Sequence, residues 1–306
     1  MKLSEIYSHR DFEVNAGAFL ARKPVISLEI FPPKGNKEEL HTKNNQLFEE
    51  LKQLIKFKPS FISVTYGAGG STRDRTLDLI LRIKNELNIE PMPHFTCVGA
   101  NREEIKNYIK IIEEHGINNI LALRGDPPKG ETEFKKTENG FQYAYELVEF
   151  IKSQTNLSIG VAGYPEKHPE CTSLNVDIEN LKRKVEAGAD VIITQVFYNN
   201  SHFFHFLGKV RALDINVPVI PGILPITNLN QVEKMANMCG TEIPKSLVNR
   251  LKEHQNQPEV IKELGIEFAI YQCQQLLDAG VPGLHFYTLN KAYATKSVLE
   301  SLSVEF

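Results

Sequence analysis

Short apolar runs alternate along the chain with longer segments whose apolar positions recur at helical spacing. The apolar runs begin near Pro24, Ser60, Glu90, Asn119, Leu157, Val191, Val217 and Gly283. Such runs predict buried strands, and the segments between them predict amphipathic helices. We predict helices over 37–57, 71–87, 101–116, 140–155, 177–187, 201–213 and 228–239, and a longer helix over 258–279 before the last strand.

This alternation predicts the fold class. Near-continuous apolar strands are typical of parallel sheets that are covered by helices. Eight of them alternating with helices favour an α/β fold, a (β/α)8 TIM barrel, in a single domain over 1–306. Gly116 ends one predicted helix, Gly188 and Gly280 directly follow two others, and all three suit helix C-termini. An open doubly wound sheet is the alternative, although no GxGxxG follows the first strand and no GxxxxGK[ST] occurs.

The amino-acid composition excludes few classes of function. The 306 residues are 42% hydrophobic and 24% charged with a net charge of −3, which is typical of a soluble globular protein. Nothing in this balance suggests nucleic acid or an anionic membrane as a partner. The four cysteines lie far apart without metal-ligand spacing, and no run approaches transmembrane length. Since the N-terminus is also too polar for a signal peptide, we expect a cytoplasmic protein.

Glu29 stands out inside the apolar run VISLEIFPP, which covers 25–33. Burying an ionised carboxylate without a partner is costly, so such a site either pairs the acid or raises its pKa. A Glu that stays protonated at neutral pH is a candidate general acid. The alternative is an edge strand on which Glu29 faces water.

Polar residues recur near the C-terminal ends of six predicted strands, where barrel enzymes place their active sites. They are Glu29, Thr65, Tyr66, His94, Thr96, Arg124, Asp126, Tyr164, His168 and Gln195. One polar residue in a strand is usually a satisfied core group, but six strands that share this feature predict an active site at one mouth of the barrel.

Other motifs leave two interpretations open. Arg124 and Asp126 share a strand face and form either a simple ion pair or, with Glu29, part of an acid–base site. The glycine-rich turn at 67–70 suits a phosphate but resembles any tight connection. The basic cluster at 182–184 is a solvated face or a phosphate contact. Around His168 no second His or Cys stands at ligand spacing, so we predict no metal site.

Ten segments in chain order resemble the methylenetetrahydrofolate reductase family, in the short bacterial form that consists of the catalytic domain alone. The segments are SLEIFPP at 27–33, SVTYGA at 63–68, PHFTC at 93–97, ALRGD at 122–126, YPEKHPE at 164–170, NLKRKV at 180–185, AGA at 187–189, ITQ at 193–195, PGILP at 221–225 and HFYTLN at 285–290. Together they extend from the first predicted strand to the last.

The resemblance implies a barrel that binds FAD non-covalently and reduces 5,10-methylenetetrahydrofolate to 5-methyltetrahydrofolate with NAD(P)H, NADH being favoured. Hydride would pass through flavin N5 with ping-pong kinetics, and Glu29 would be the proton donor to folate N10. Our hypothesis is that Asp126, kept ionised, stabilises the cationic folate iminium. No regulatory domain is expected.

The resemblance also implies the binding residues. Those at the flavin are Thr65, Tyr66, Ala68, His94, Arg124, Gly125, Asp126, Tyr143, Ala144, Tyr164, His168, Cys171, Asp177, Asn180, Arg183 and Lys184. Those at the substrate are Glu29, Asp126, Gln195, Gln231 and Lys291. Lys291 stands where the family has an Arg, which places folate affinity in question because Lys lacks bidentate geometry. Met235 replaces a Phe and is an adaptable filler.

Three alternatives remain beside this interpretation: a flavin barrel that takes electrons from a partner protein, a silent flavin- or folate-binding subunit, and a flavin-free lyase or aldolase. For the main interpretation we expect only folate and nicotinamide as partners, without nucleic acid or membrane, in a homo-oligomer.

Overall fold

A computed structural model describes residues 1–8, 23–65, 73–127, 130–131 and 133–304. Within these residues eight parallel strands close into a barrel in chain order, and the last strand pairs with the first. The strands are β1 (Val25–Ile30), β2 (Phe61–Val64), β3 (Glu90–Thr96), β4 (Asn119–Leu123), β5 (Ser158–Gly163), β6 (Val191–Val196), β7 (Val219–Ile223) and β8 (Gly283–Tyr287). The predicted (β/α)8 fold is confirmed, and the open sheet is wrong.

Eleven α-helices and one short 3-10 helix, Ile55–Phe57, occur in the described part of the chain. They are α1 (Leu3–Ser8), α2 (Lys37–Lys52), α3 (Arg73–Leu87), α4 (Arg102–Glu114), α5 (Ala144–Gln154), α6 (Leu174–Glu186), α7 (Asn200–Ala212), α8 (Leu229–Cys239), α9 (Lys245–Glu253), α10 (Pro258–Asp278) and α11 (Tyr293–Ser301). None of these helices is long and apolar enough to cross a membrane.

Helix ends follow local chemistry. Asn101 and Glu104 form a reciprocal capping box that starts α4. Gly116 and Gly188 adopt φ of 65° and 114° just after α4 and α6, a conformation that favours glycine, so the predicted C-terminal signals are confirmed. The sequence pattern missed α1, α9 and α11, which have six to nine residues and are too short for a clear helical period.

Alternation along β1 divides its side chains between two environments. Val25 belongs to the apolar cluster inside the barrel, whereas Ile26, Leu28 and Ile30 belong to the cluster between barrel and helices. The same alternation directs Glu29 into the barrel near the C-terminal end of the strand. Because β1 pairs with β2 and with β8, it is not an edge strand, and the water-facing alternative for Glu29 is wrong.

Helix α1 packs into the apolar cluster inside the barrel. Leu3 is fully buried and clusters there with Phe61 and Met92. The fully buried Asn119, at the first position of β4, anchors this segment with both side-chain atoms: Oδ1 accepts from the Leu3 amide at 2.6 Å, and Nδ2 donates to the Met1 carbonyl at 2.8 Å. A buried amide with two backbone partners fixes α1 on the barrel.

Replacing Asn119 with Ala should therefore lower the free energy of unfolding by about 2–4 kcal/mol, since two backbone groups lose their partners. Urea denaturation of both proteins measures the difference. The matched control is Asn237→Ala at an exposed position of α8, which should stay within about 0.5 kcal/mol of the wild type. A loss below about 1 kcal/mol in Asn119→Ala would mean that α1 is not anchored by this side chain.

Candidate active site

Glu29 lies inside the barrel between two imidazoles. Its Oε2 atom is 3.3 Å from His94 Nε2 on β3 and 3.7 Å from His285 Nε2 on β8. Ser63 Oγ on β2 lies 3.5 Å from the same oxygen. Three other strands thus direct polar side chains at the Glu29 carboxyl group, and all four side chains are buried. The carboxylate is paired rather than isolated in an apolar strand.

The His285 ring continues this cluster toward Ser27. Ser27 Oγ is 2.9 Å from His285 Nδ1 and also donates to the Leu284 carbonyl at 3.4 Å. An imidazolium at His285 would therefore direct one proton at Ser27 and the other at Glu29. The geometry suits a chain of groups that holds and transfers a proton.

The electrostatics of this cluster distinguish the two outcomes expected for a buried Glu. Burial alone would raise the pKa of Glu29, but the positive charge of His94 and the close approach of both imidazole rings outweigh it and lower the pKa to about 2. Of the two outcomes expected for a buried Glu, pairing is the one found, because the carboxyl group faces imidazoles inside the barrel. The carboxylate is thus ionised near neutral pH, and the proton-donor role of Glu29 stays a prediction.

This lowered pKa makes stability depend on pH. Glu29 titrates near 4.5 when unfolded and near 2 when folded, so its contribution is complete above pH 4.5 and is lost as the pH falls toward 2. Between pH 5 and pH 3 the wild type should lose about 2 kcal/mol more unfolding free energy than Glu29→Gln. Urea denaturation over this range measures the difference. Glu179→Gln, exposed on α6, should follow the wild type; parallel curves for wild type and Glu29→Gln would refute the pairing.

Charged side chains form the rim of the barrel beside this cluster. Arg124 directly follows β4 and binds Glu170 through two hydrogen bonds of 2.6 and 2.7 Å. Its guanidinium group also stacks over Phe134 at 5.0 Å. The predicted simple ion pair between Arg124 and Asp126 is wrong, since the bidentate partner is Glu170 from the next βα loop. Asp126 is exposed at the rim, close enough to raise the pKa of Cys239, although burial is the larger cause.

Helix α6 presents a polar face to the same rim. Asp177 Oδ2 accepts from the His168 amide at 2.9 Å, and the Tyr164 ring meets the His168 ring edge-on at 4.8 Å. Lys184, two turns after Asp177, donates to the Ala162 carbonyl at 2.6 Å. Part of the Lys184 side chain is exposed, but burial around its amine lowers the pKa to about 8. The Lys184 amine therefore lies beneath the rim with a backbone carbonyl, rather than a carboxylate, as its hydrogen-bond partner.

The remaining predicted flavin residues divide into two groups. Thr65 directly follows β2, Gly125 follows β4, Tyr143 and Ala144 lie at the start of α5, Cys171 precedes α6, and Asn180 and Arg183 are exposed on α6. Tyr66, Ala68 and the glycine-rich turn at 67–70 lie outside the described residues.

The predicted substrate residues lie in three places. Gln195 is the second-last residue of β6, at the mouth, and its Oε1 accepts from the Val196 amide at 2.9 Å. Gln231 borders a cleft with Leu224 and Leu289 at the ends of β7 and β8. Lys291 borders a different cleft on α2, where its amine binds Glu50 at 3.2 Å. The structure thus brings Gln195 to the mouth but places Lys291, in the loop after β8, against α2.

Several site residues were missed by sequence reasoning: Ser27, Ser63, Glu170, Thr194, His285 and Tyr287. A barrel requires β1 to pair with β8, so the inward positions of the HFYTLN segment carried a usable signal for His285 and Tyr287. Across the described part of the chain, His, Cys, Asp and Glu form no group of three that suits a metal ion.

Comparison with known proteins gives a consistent result. The family model described as methylenetetrahydrofolate reductase matches residues 16–303. The methylenetetrahydrofolate reductase (NADH) 1 of Arabidopsis thaliana is 40% identical over 91% of this chain and 48% of its own length. The 5,10-methylenetetrahydrofolate reductase of Escherichia coli is 37% identical over 91% of this chain and 90% of its own length. The chain spans about half the length of the plant and yeast relatives that it matches.

A solved structure adds support for the fold alone. An uncharacterized protein from Clostridium thermocellum that binds two copies of 5-methyl-5,6,7,8-tetrahydrofolic acid superposes with a TM-score of 0.58 at 16% identity, covering 92% of this chain and 95% of that one. Sequence similarity carries the stronger conclusion, since the family model extends over nearly all of the barrel described above. The chain belongs to the methylenetetrahydrofolate reductase family.

Proposed function

We propose that the protein reduces 5,10-methylenetetrahydrofolate to 5-methyltetrahydrofolate with a nicotinamide donor, NADH being favoured, through non-covalently bound FAD in a cytoplasmic homo-oligomer. The observation that carries this proposal is the buried Glu29 between His94 and His285, at the mouth that also carries Asp126 and Gln195. This reaction needs a proton at one substrate nitrogen and a stabilised positive charge at another, and the mouth offers groups for both.

The rim residues suit a flavin dinucleotide. The Lys184 amine supplies positive charge near the Ala162 carbonyl, which fits a phosphate group. The Tyr143 ring is 51% exposed and stacks on Tyr145 at 5.9 Å, leaving a flat face for an aromatic ring system. Bound FAD would supply hydride transfer between nicotinamide and folate. As the family resemblance implies, the other parts of FAD would be held by Thr65, Asp177, Asn180 and Arg183.

The Glu29 cluster would handle the proton. Opening the one-carbon bridge of the substrate requires a proton on the N10 leaving group. Glu29 Oε2 faces both imidazoles, so the ionised carboxylate could accept a proton from His94 or His285 and pass it on to N10. The Glu29, His94 and His285 side chains are all buried, which limits the access of water to this transfer. Glu29 would then act as the final donor, with the imidazoles as its proton reservoir.

Asp126 would act on the other substrate nitrogen. Opening the bridge leaves an iminium cation at N5, and an ionised carboxylate nearby lowers its energy. Asp126 is exposed at the rim, where an open mouth lets substrate approach. Gln195, near the C-terminal end of β6, would orient the folate ring and the nicotinamide in turn.

Anaerobic titration of the purified protein tests this proposal. A yellow preparation should bleach with NADH more readily than with NADPH, and methylenetetrahydrofolate should restore its colour. If neither nicotinamide bleaches the flavin and only a reduced partner protein does, the result would favour a reductase subunit that takes electrons from another protein. A colourless preparation that binds no added FAD would contradict the proposal.

A further inference from the structure

An irregularity in β6 lies at the predicted substrate residue Gln195. Ile193 pairs with Ile220 of β7, but the next pair is Val196 with Gly222. Thr194 and Gln195 therefore face the single residue Pro221, which makes a β-bulge. Since Pro221 has no amide N–H, it cannot donate a ladder hydrogen bond at this point.

Two hydrogen bonds to Thr194, one from the backbone of β7 and one from a side chain of β8, replace the missing ladder contacts. The Gly222 amide donates to Thr194 Oγ1 at 2.9 Å, and the Tyr287 hydroxyl donates to the Thr194 carbonyl at 2.7 Å. The second bond crosses from β8 over β7 to β6. The second residue of the bulge, Gln195, accepts a hydrogen bond at Oε1 from the Val196 amide. The peptide that precedes Gln195 is thus held by Tyr287.

Gly222 makes this crossing possible. A Cβ at residue 222 would lie 2.2 Å from the Thr194 carbonyl oxygen and 2.6 Å from Cε2 of Tyr287. Any larger residue would push the Tyr287 ring away from β6. Pro221 leaves a gap in the ladder because it has no N–H, and Gly222 leaves space because it has no side chain. Together they allow Tyr287 from β8 to reach the bulge.

The ring of Tyr287 also contacts the proton-handling cluster. It packs edge-on against His285, with centroids 5.2 Å apart and planes at 89°. In the strand register Tyr287 stands directly opposite Glu29. One side chain therefore contacts both His285, beside Glu29, and the peptide that carries Gln195.

We propose that Tyr287 is a positioning residue that fixes the Gln195 amide at the β6 bulge while its ring supports His285. The link to substrate rests on the proposed function, in which Gln195 contacts folate and nicotinamide. The hydroxyl acts only on Gln195, and the ring acts only on His285. The two effects can therefore be separated by substitution.

The variant Tyr287→Phe removes the hydroxyl and keeps the ring. In the FAD-loaded enzyme the KM for methylenetetrahydrofolate should rise about 3- to 10-fold, the loss of one hydrogen bond, with a smaller change in kcat. In a Gln195→Ala background the same substitution should have no further effect on KM, because the group that it positions is gone. Independent effects of the two substitutions would show that Tyr287 does not act through Gln195 and would overturn the proposal.

A matched control removes a hydroxyl nearby. Tyr198, just beyond β6, is buried, and its hydroxyl has no hydrogen-bond partner among the described residues. Tyr198→Phe should therefore leave KM unchanged. If both Phe variants raised KM equally, or if Tyr287→Phe lowered the melting temperature and FAD content together with activity, a general packing defect would replace the positioning role.

Crystal structures of the wild type and Tyr287→Phe test the bulge without an activity assay. The Thr194 carbonyl and the Gln195 amide should move in the variant, while His285 stays in place. An unchanged bulge would overturn the inference even if the enzyme reduces folate. A wild type that turns over no folate, with a bulge that moves in the variant, would contradict the proposed function and leave the positioning by Tyr287 intact.

Discussion

Glu29→Gln should lower the rate of folate reduction by roughly 10²- to 10⁴-fold, the usual contribution of a positioned proton donor. Gln has the shape of Glu but cannot pass a proton from His94 or His285 to the substrate. Flavin reduction by NADH should change by less than about 3-fold, because hydride transfer from nicotinamide requires no proton from this cluster. The two half-reactions should therefore separate in one variant.

Anaerobic stopped-flow absorbance measures the two half-reactions independently. Reduction is followed after mixing with NADH, and reoxidation after mixing the reduced enzyme with methylenetetrahydrofolate. Ser27→Ala provides a graded comparison, since it removes only the distal contact of His285, 2.9 Å from Nδ1. Its loss in reoxidation should be smaller than that of Glu29→Gln. Equal losses in both half-reactions of Glu29→Gln would make Glu29 a structural residue.

Local sequence patterns predicted the framework well, because each strand and each long helix carries its own signal. All eight strands start within about two residues of their predicted positions. The placement of Glu29 inside the barrel followed from alternation in β1 together with closure. The strand positions and the direction of the Glu29 side chain depend only on residues nearby in the sequence and on the rule that successive strands pair.

The side chains that surround Glu29 could not be predicted from local sequence patterns. His94 lies 65 positions away and His285 256 positions away, and their approach to one oxygen depends on strand register. The direction of the pKa shift changes with that approach, because imidazolium charge opposes the effect of burial. The same limit explains Arg124, whose partner Glu170 comes from a loop that no periodic pattern describes.

Lys184→Met should change two properties in opposite directions. Burial lowers the pKa of the Lys184 amine from 10.5 to about 8, so below pH 8 the folded apoprotein holds a charge that is poorly solvated. Met keeps the aliphatic stem and removes this charge, so the FAD-free protein should become more stable at pH 7. Affinity for FAD should instead fall by about 10- to 100-fold, since a charged hydrogen bond to phosphate is lost.

The stability effect has its own pH signature. Because the folded pKa lies below the unfolded one, the destabilising contribution of Lys184 is complete below about pH 8 and disappears as the pH rises to 10.5. Urea denaturation of apoprotein should therefore show wild-type stability approaching that of Lys184→Met across this window. FAD affinity at pH 7, measured by quenching of flavin fluorescence, gives the second property.

Lys182→Met is the matched control, because this side chain lies on the same helix but is 40% exposed and faces Glu186 at 3.9 Å. It should change neither property. A less stable apoprotein in Lys184→Met would mean that the bond to Ala162 outweighs the burial of charge. Unchanged FAD affinity would remove Lys184 from the flavin site. Only a residue whose charge is costly in the empty barrel and favourable beside a phosphate gives opposite signs, so this pair of measurements separates a cofactor contact from an ordinary structural lysine.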